Sequence, residues 1–119
     1  MKILLYIVLI ALLPCFGCHH ANCSNVPATF TSYDEAITDV HGATFDLVDS
    51  ANTGQSSFVT SANYYSCDGQ SGYLIVGLKG REYIHKDVPV QIWQQFKQAT
   101  SYGEFYAEFI RGRYRLELK

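Results

Sequence analysis

The stretch Gly80-Arg-Glu-Tyr-Ile-His-Lys-Asp-Val-Pro-Val-Gln-Ile-Trp93 decides how the rest of the chain is arranged. Arg81 to His85 alternates like a strand, Val88-Pro89 interrupts the run, and Ile92, Trp93 and Phe96 then recur at helical spacing. A strand is therefore expected to lead directly into a packed helix. Pro89 suits the first turn of that helix, where its missing N–H is not needed, with Asp87 or Val88 at the cap.

Downstream, Ile92, Trp93, Phe96 and Ala99 mark the buried face of a helix ending near Ala99, with Trp93 as the largest core filler. Ser101-Tyr-Gly-Glu104 reads as a capping box opening a shorter helix whose apolar residues are Phe105, Phe109 and Ile110, stopped by Gly112. Burial of Trp93, Phe96, Phe105 and Phe109, at about 1.5 to 3 kcal/mol each, is expected to be the main hydrophobic contribution. Tyr114, Leu116 and Leu118 then alternate with Arg113, Arg115, Glu117 and Lys119, which predicts a half-exposed terminal strand.

Upstream, Ser56 to Ser66 has period two, with Phe58, Thr60, Ala62 and Tyr64 on one face. The turn formers of Cys67 to Gly72 separate it from the apolar run Tyr73 to Leu78, and Lys79-Gly80 makes a second tight turn, giving a three-strand meander. Before it, Ser32-Tyr-Asp-Glu35 is a second capping box. Tyr33, Ala36, Ile37 and Val40 share one face of a helix over 32–41, with Gly42 placed for a left-handed C-terminal residue and His41 on the surface. Ala43 to Asp49, with Phe45 and Leu47 apolar, predicts a short strand, and Ser50 to Gln55 a loop. The class is α+β: a small antiparallel meander plus a C-terminal strand, a C-terminal helix pair on one face and a short N-terminal helix. Residues 32–119 form one domain, since 32–49 are too few to bury a core alone.

The N-terminus has the form of an export signal over 1–17. Lys2 precedes the apolar run Ile3 to Leu13, which is short for a membrane span of about 20 residues. Cys15-Phe16-Gly17-Cys18 resembles the lipobox of bacterial lipoproteins, in which the cysteine following a small residue is acylated; Cys18 holds that place. Cysteine at position 15 departs from the usual aliphatic residue, and ordinary cleavage after Gly17 is the alternative, leaving a periplasmic or secreted chain. Residues 18–31 read as a polar tether. With Cys15 removed and Cys18 lipidated, Cys23 and Cys67 are left either to pair in an oxidising compartment or to stay as thiols. The formal net charge of −2 becomes slightly more negative without Lys2, which excludes a general polyanion binder.

Ser56-Ser57-Phe58, Tyr64-Tyr65, the Gly80 to His85 strand, Val88-Pro89 and Trp93-x-x-Phe96-x-x-Ala99 together resemble the KTSC domain, as do Ser101-x-Gly103-x-Phe105-Tyr106 and Ile110-Arg-Gly-x-Tyr114. That domain is named for the C-terminus of some lysyl-tRNA synthetases. The resemblance covers about residues 56–115. It implies the same small fold and, from the synthetase context, a suggested RNA-binding role. The family's Tyr-x-Tyr motif falls on Tyr83-Ile84-His85, so histidine replaces the second tyrosine here.

Two sets of residues are candidates for binding. Tyr83 and His85 project from one face of a strand with Arg81 beyond them, a row able to stack on a base, a sugar or a peptide side chain; the same pattern also fits a packed row with a satisfied imidazole. Arg111, Arg113 and Arg115 share a face of the expected terminal strand and suit phosphate or carboxylate, although basic residues also protect a sheet edge. Cys67, His85 and Asp87 could nominally form a thiol, base and carboxylate, but no local signature supports them. His19, His20 and Cys23 are too loosely held to expect a metal. No cofactor or metal is expected. The sequence thus points to a non-catalytic binding module held on a bacterial envelope by lipid, with an envelope protein or glycan as partner; the alternatives are an RNA-binding module and an envelope hydrolase.

Overall fold

The computed structural model describes residues 22–119. The signal segment 1–17, Cys18, His19 and His20 lie outside the described residues. The α+β class holds. Strands β1 (Leu47–Ser50), β2 (Val59–Ser66), β3 (Ser71–Leu78) and β4 (Arg81–Pro89) form an antiparallel sheet in the order β1-β2-β3-β4. Helix α1 (Tyr33–Gly42) precedes the sheet. Helix α2 (Val90–Lys97), helix α3 (Tyr102–Phe105) and a π-helical turn (Tyr106–Ile110) follow it.

The sheet is covered on both faces because its strands bury both sets of side chains. On one face Ala62, Tyr64, Leu74, Val76 and Val88 pack under Trp93, Phe96, Tyr106 and Ile110. On the other, Ile75 and Ile84 meet Ala36 and Val40 of α1, with Phe30, Phe45 and Leu116 closing the layer. Tyr64, Trp93, Phe96 and Tyr102 form a run of stacked rings with centroids 5.2 to 5.8 Å apart. The Tyr64 hydroxyl donates to the Val88 carbonyl at 2.7 Å, and burial pushes its pKa up to about 12. The indole N–H of Trp93 donates to Asp49 at 2.9 Å, and Lys97 Nζ shares that carboxylate at 2.6 Å, so the edge strand β1 is tied to α2.

Several expectations need correcting. Residues 113–119 are not a strand; the segment crosses the sheet edge with one backbone hydrogen bond to β4, Lys86 N–H to the Tyr114 carbonyl at 3.1 Å, and one bridge between Leu118 and Phe30. Gly112, at φ 78°, turns the chain out of extension just after the helical segment. Phe109 is 40 % exposed while Tyr106 and Ile110 are buried. The reason is the π turn: Arg111 N–H reaches back five residues to the Tyr106 carbonyl at 2.8 Å, and the extra residue in that turn rotates the helix face. In β2 a bulge between Val59 and Ser61 places Val59 in the core and leaves Thr60 outside, reversing the parity expected from Phe58 and Thr60. β4 runs on to Pro89, which is the N-cap of α2. Its bulge at Lys86-Asp87, opposite Tyr73, holds Asp87 at φ 58° and shifts Val88 onto the face of His85.

The N-terminal part differs in detail as well. Ser32 Oγ accepts from Glu35 N–H at 3.0 Å as a capping box requires, but the Glu35 carboxylate reaches back to Thr31, accepting from its N–H and its hydroxyl. Gly42 is not left-handed; Ala43 ends α1 in extended conformation. Phe45 precedes β1 and packs on the α1 side, opposite to Leu47. Residues 22–31 are docked on the domain. Phe30 is fully buried, and Cys23 forms a disulfide with Cys67 at the β2–β3 turn, with Cα atoms 5.8 Å apart.

Candidate binding trough

Lys79 and Gly80 both take positive φ, 51° and 84°, which makes the β3–β4 connection a two-residue type I′ turn. That turn sets the register: Arg81 faces Leu78, Tyr83 faces Val76 and His85 faces Leu74. All three side chains therefore lie on the α2–α3 face, and the depth of each partner in the core grades their exposure. Arg81 is exposed at the rim, Tyr83 is 39 % exposed and His85 only 8 %.

His85 is a buried, neutral imidazole. Its Nε2 lies 3.0 Å from the Tyr106 hydroxyl, with the rings edge to face. Burial drives its pKa down to about 4, opposed by the Tyr114 carbonyl, which favours a ring N–H. A carbonyl on that side favours the proton on the ring nitrogen nearer Tyr114, which makes Nε2 the acceptor and Tyr106 the donor. Tyr106 is pushed up by its own burial, while Arg111 pulls the other way. The guanidinium carbon of Arg111 lies over the Tyr106 ring, 5.5 Å from its centroid. Every member of the His85–Tyr106–Arg111 row is thus positioned by the next.

Above this row runs a trough made of two adjoining clefts, about 670 and 540 Å³, that share Arg81, Tyr83, Tyr106 and Arg111. The larger lies along the edge of β4, between the start of α1 at Tyr33 and Asp34 and the C-terminal segment at Arg111 and Arg115. The smaller continues over Phe58, Leu78 and Lys79, whose Nζ lies 5.9 Å from the Phe58 ring. Four cations, Lys79, Arg81, Arg111 and Arg115, face two carboxylates, Asp34 and Glu82, so the trough is positive on a chain whose formal charge is −2. Glu82 is itself 3.3 Å from His41 Nε2 on the α1 side, and Tyr65 holds the other ring nitrogen of His41 at 3.1 Å.

The sequence-expected residues are thus divided. Arg81, Tyr83, His85, Arg111 and Arg115 come together, although Arg111 and Arg115 do so across the Gly112 turn and not along a strand. Arg113 does not join them; its Nε donates to the Glu108 carbonyl at 3.2 Å. Tyr106, Tyr33 and Lys79 were missed. Tyr106 stands in the Phe105-Tyr106 part of the family-like pattern, but helical periodicity favoured Phe109 because it could not foresee the π turn. Cys67, His85 and Asp87 do not assemble: Cys67 is in the disulfide, His85 takes Tyr106 and Tyr114 as partners, and Asp87 is exposed at the bulge.

The fold and the trough define a small α+β module with a cationic, ring-lined groove along one sheet edge. Residues 55–114 match the family model of the KTSC domain, half of the chain, and the chain belongs to the KTSC domain family. It is similar to the crystal structure of a KTSC domain protein from Yersinia pestis, at 24 % identity and a TM-score of 0.49 over 58 % of this chain and 93 % of that one. No curated protein matches it significantly. The matched span holds Arg81, Tyr83, His85, Tyr106 and Arg111; helix α1, Cys23 and Arg115 lie outside it.

Proposed function

We propose that this KTSC-domain protein is an exported, envelope-anchored, non-catalytic binding module whose ligand lies in the β4 trough. The observation that carries this reading is the pairing of an exposed ring, Tyr83, with Arg81, Arg111 and Arg115 above a neutral, fully partnered His85–Tyr106 pair. Rings and guanidiniums at the surface bind, and the burial that holds the imidazole's pKa at about 4 makes it a weak general base near neutral pH. The export-type N-terminus, Cys18 in a lipobox-like setting and the Cys23–Cys67 disulfide support an oxidising, extracytoplasmic location.

Fatty-acid labelling tests the anchor: label is expected in the wild type and lost in Cys18→Ser, and an unlabelled wild type would return the chain to a secreted or inner-membrane form. Affinity capture tests the trough, by comparing envelope components retained by the wild type with those retained by Tyr83→Ala and Arg111→Ala. Retention unchanged in both variants would place the ligand elsewhere. The interleaving of rings and arginines also suits a single-stranded nucleic acid. That reading requires affinity to fall steeply with salt and with Arg111→Ala.

A further inference from the structure

The trough has a floor as well as walls, and the floor is the outer edge of β4. In the register set by the Lys79-Gly80 turn, Arg81, Tyr83 and His85 exchange backbone hydrogen bonds with β3. Glu82 and Ile84 therefore direct their N–H and C=O groups outward, into the cleft they help to line. Two residues on, the same outward row is used: Lys86 N–H donates to the Tyr114 carbonyl. Among the described residues no loop, turn or cap hydrogen bond reaches Glu82 or Ile84. The C-terminal segment thus closes one end of the edge, and at the other the outward groups of Glu82, an exposed residue, and of Ile84, only 6 % exposed, have no such partner.

We infer that the occupant of the trough is an extended acidic peptide that pairs with Glu82 and Ile84 as an added strand, its alternate carboxylates meeting Arg81, Arg111 and Arg115. This rests on the trough being the ligand site. Donors and acceptors repeating every second residue are what another strand supplies, and a strand presents alternate side chains to one wall. Charge selects the acidic kind, since the cations outnumber the two carboxylates of the cleft and one of these, Glu82, is already near His41. The edge itself is short, which keeps it from pairing indiscriminately with other sheets.

The probe is a fluorescein-labelled octapeptide of alternating threonine and glutamate, titrated against the full chain by fluorescence anisotropy. Its controls are the same peptide with lysine for glutamate and the same peptide with alternate amides N-methylated. Saturable binding of the acidic peptide is expected, with about tenfold or greater loss on N-methylation and no binding of the lysine peptide. Glu82→Pro removes one outward N–H without touching the β3 ladder and is expected to lose about tenfold, whereas Glu82→Ala binds at least as well as the wild type. Bound peptide is also expected to slow exchange of the Ile84 amide. No saturable binding, or equal binding of the N-methylated peptide, overturns strand addition. If binding then still depends on Arg111, the trough stands without the strand; if capture by Tyr83→Ala and Arg111→Ala is also unchanged, the trough reading falls with it.

Discussion

Acidification from about pH 7.5 to about pH 5 is expected to cost the domain about 2 kcal/mol through one side chain, His85. In the fold its pKa is lowered from the ordinary 6.5 to about 4, first by burial, with the Tyr114 carbonyl opposing. Between those values the unfolded chain binds more protons than the folded one, so stability rises with pH. The contribution is complete above the unfolded value, declines as pH falls through the window and is gone below the folded value. Arg111, over the ring of Tyr106, adds no welcome for a second cation at this place. Acidic groups held low by their partners, Asp49 by Lys97 and Trp93 and Asp68 by the amides of Gln70 and Ser71, lose their contributions mainly below this range. Urea titrations at the two pH values give the difference directly when the transition is two-state. The control is His85→Gln, which keeps an acceptor for Tyr106 and a donor for Tyr114 but cannot titrate; it is expected to flatten the profile. A His85→Gln domain with the wild-type slope would refute the assignment.

Reduction of the Cys23–Cys67 disulfide, or Cys67→Ser, is expected to lower the urea midpoint by the equivalent of up to about 4 kcal/mol, since the bond closes a loop with a sequence separation of 44. Gly72→Ala is expected to cost about 3 kcal/mol, because a Cβ there would collide with the Tyr65 carbonyl across the β2–β3 pair; a thermal melt within a few degrees of wild type would show that the backbone yields. Asp49→Ala leaves the Trp93 indole N–H without its acceptor and is expected to cost about 1 to 2 kcal/mol. Asp49→Asn, which keeps an acceptor but loses the Lys97 charge pair, is expected to cost less, with Trp93 fluorescence following both transitions.

Much of the fold was legible in local patterns. Ser32 and Ser101 cap as their spacing to Glu35 and Glu104 foretold, Gly80 takes positive φ in its hairpin, and Trp93 and Phe96 fill the core. The errors in which side chains face inward share a cause: each comes from one residue added to a repeat. The bulges at Thr60-Ser61 and Lys86-Asp87 and the π turn at Tyr106–Ile110 each change which side chains face inward, and a periodicity argument assumes that no such residue is added.

What the sequence determined by itself is the class of fold, the meander order and the row Arg81, Tyr83, His85, because strand period and turn chemistry are local properties. What only the tertiary structure decided is the trough. Tyr106 reaches His85 through a π turn, Arg111 and Arg115 flank Gly112 on a segment that crosses the sheet edge, and Tyr33 arrives from the opposite face. Tyr33, the β4 row and the C-terminal residues are separated along the chain by tens of positions, and they meet because burying both faces of one sheet brings α1 and the C-terminal segment to the same edge.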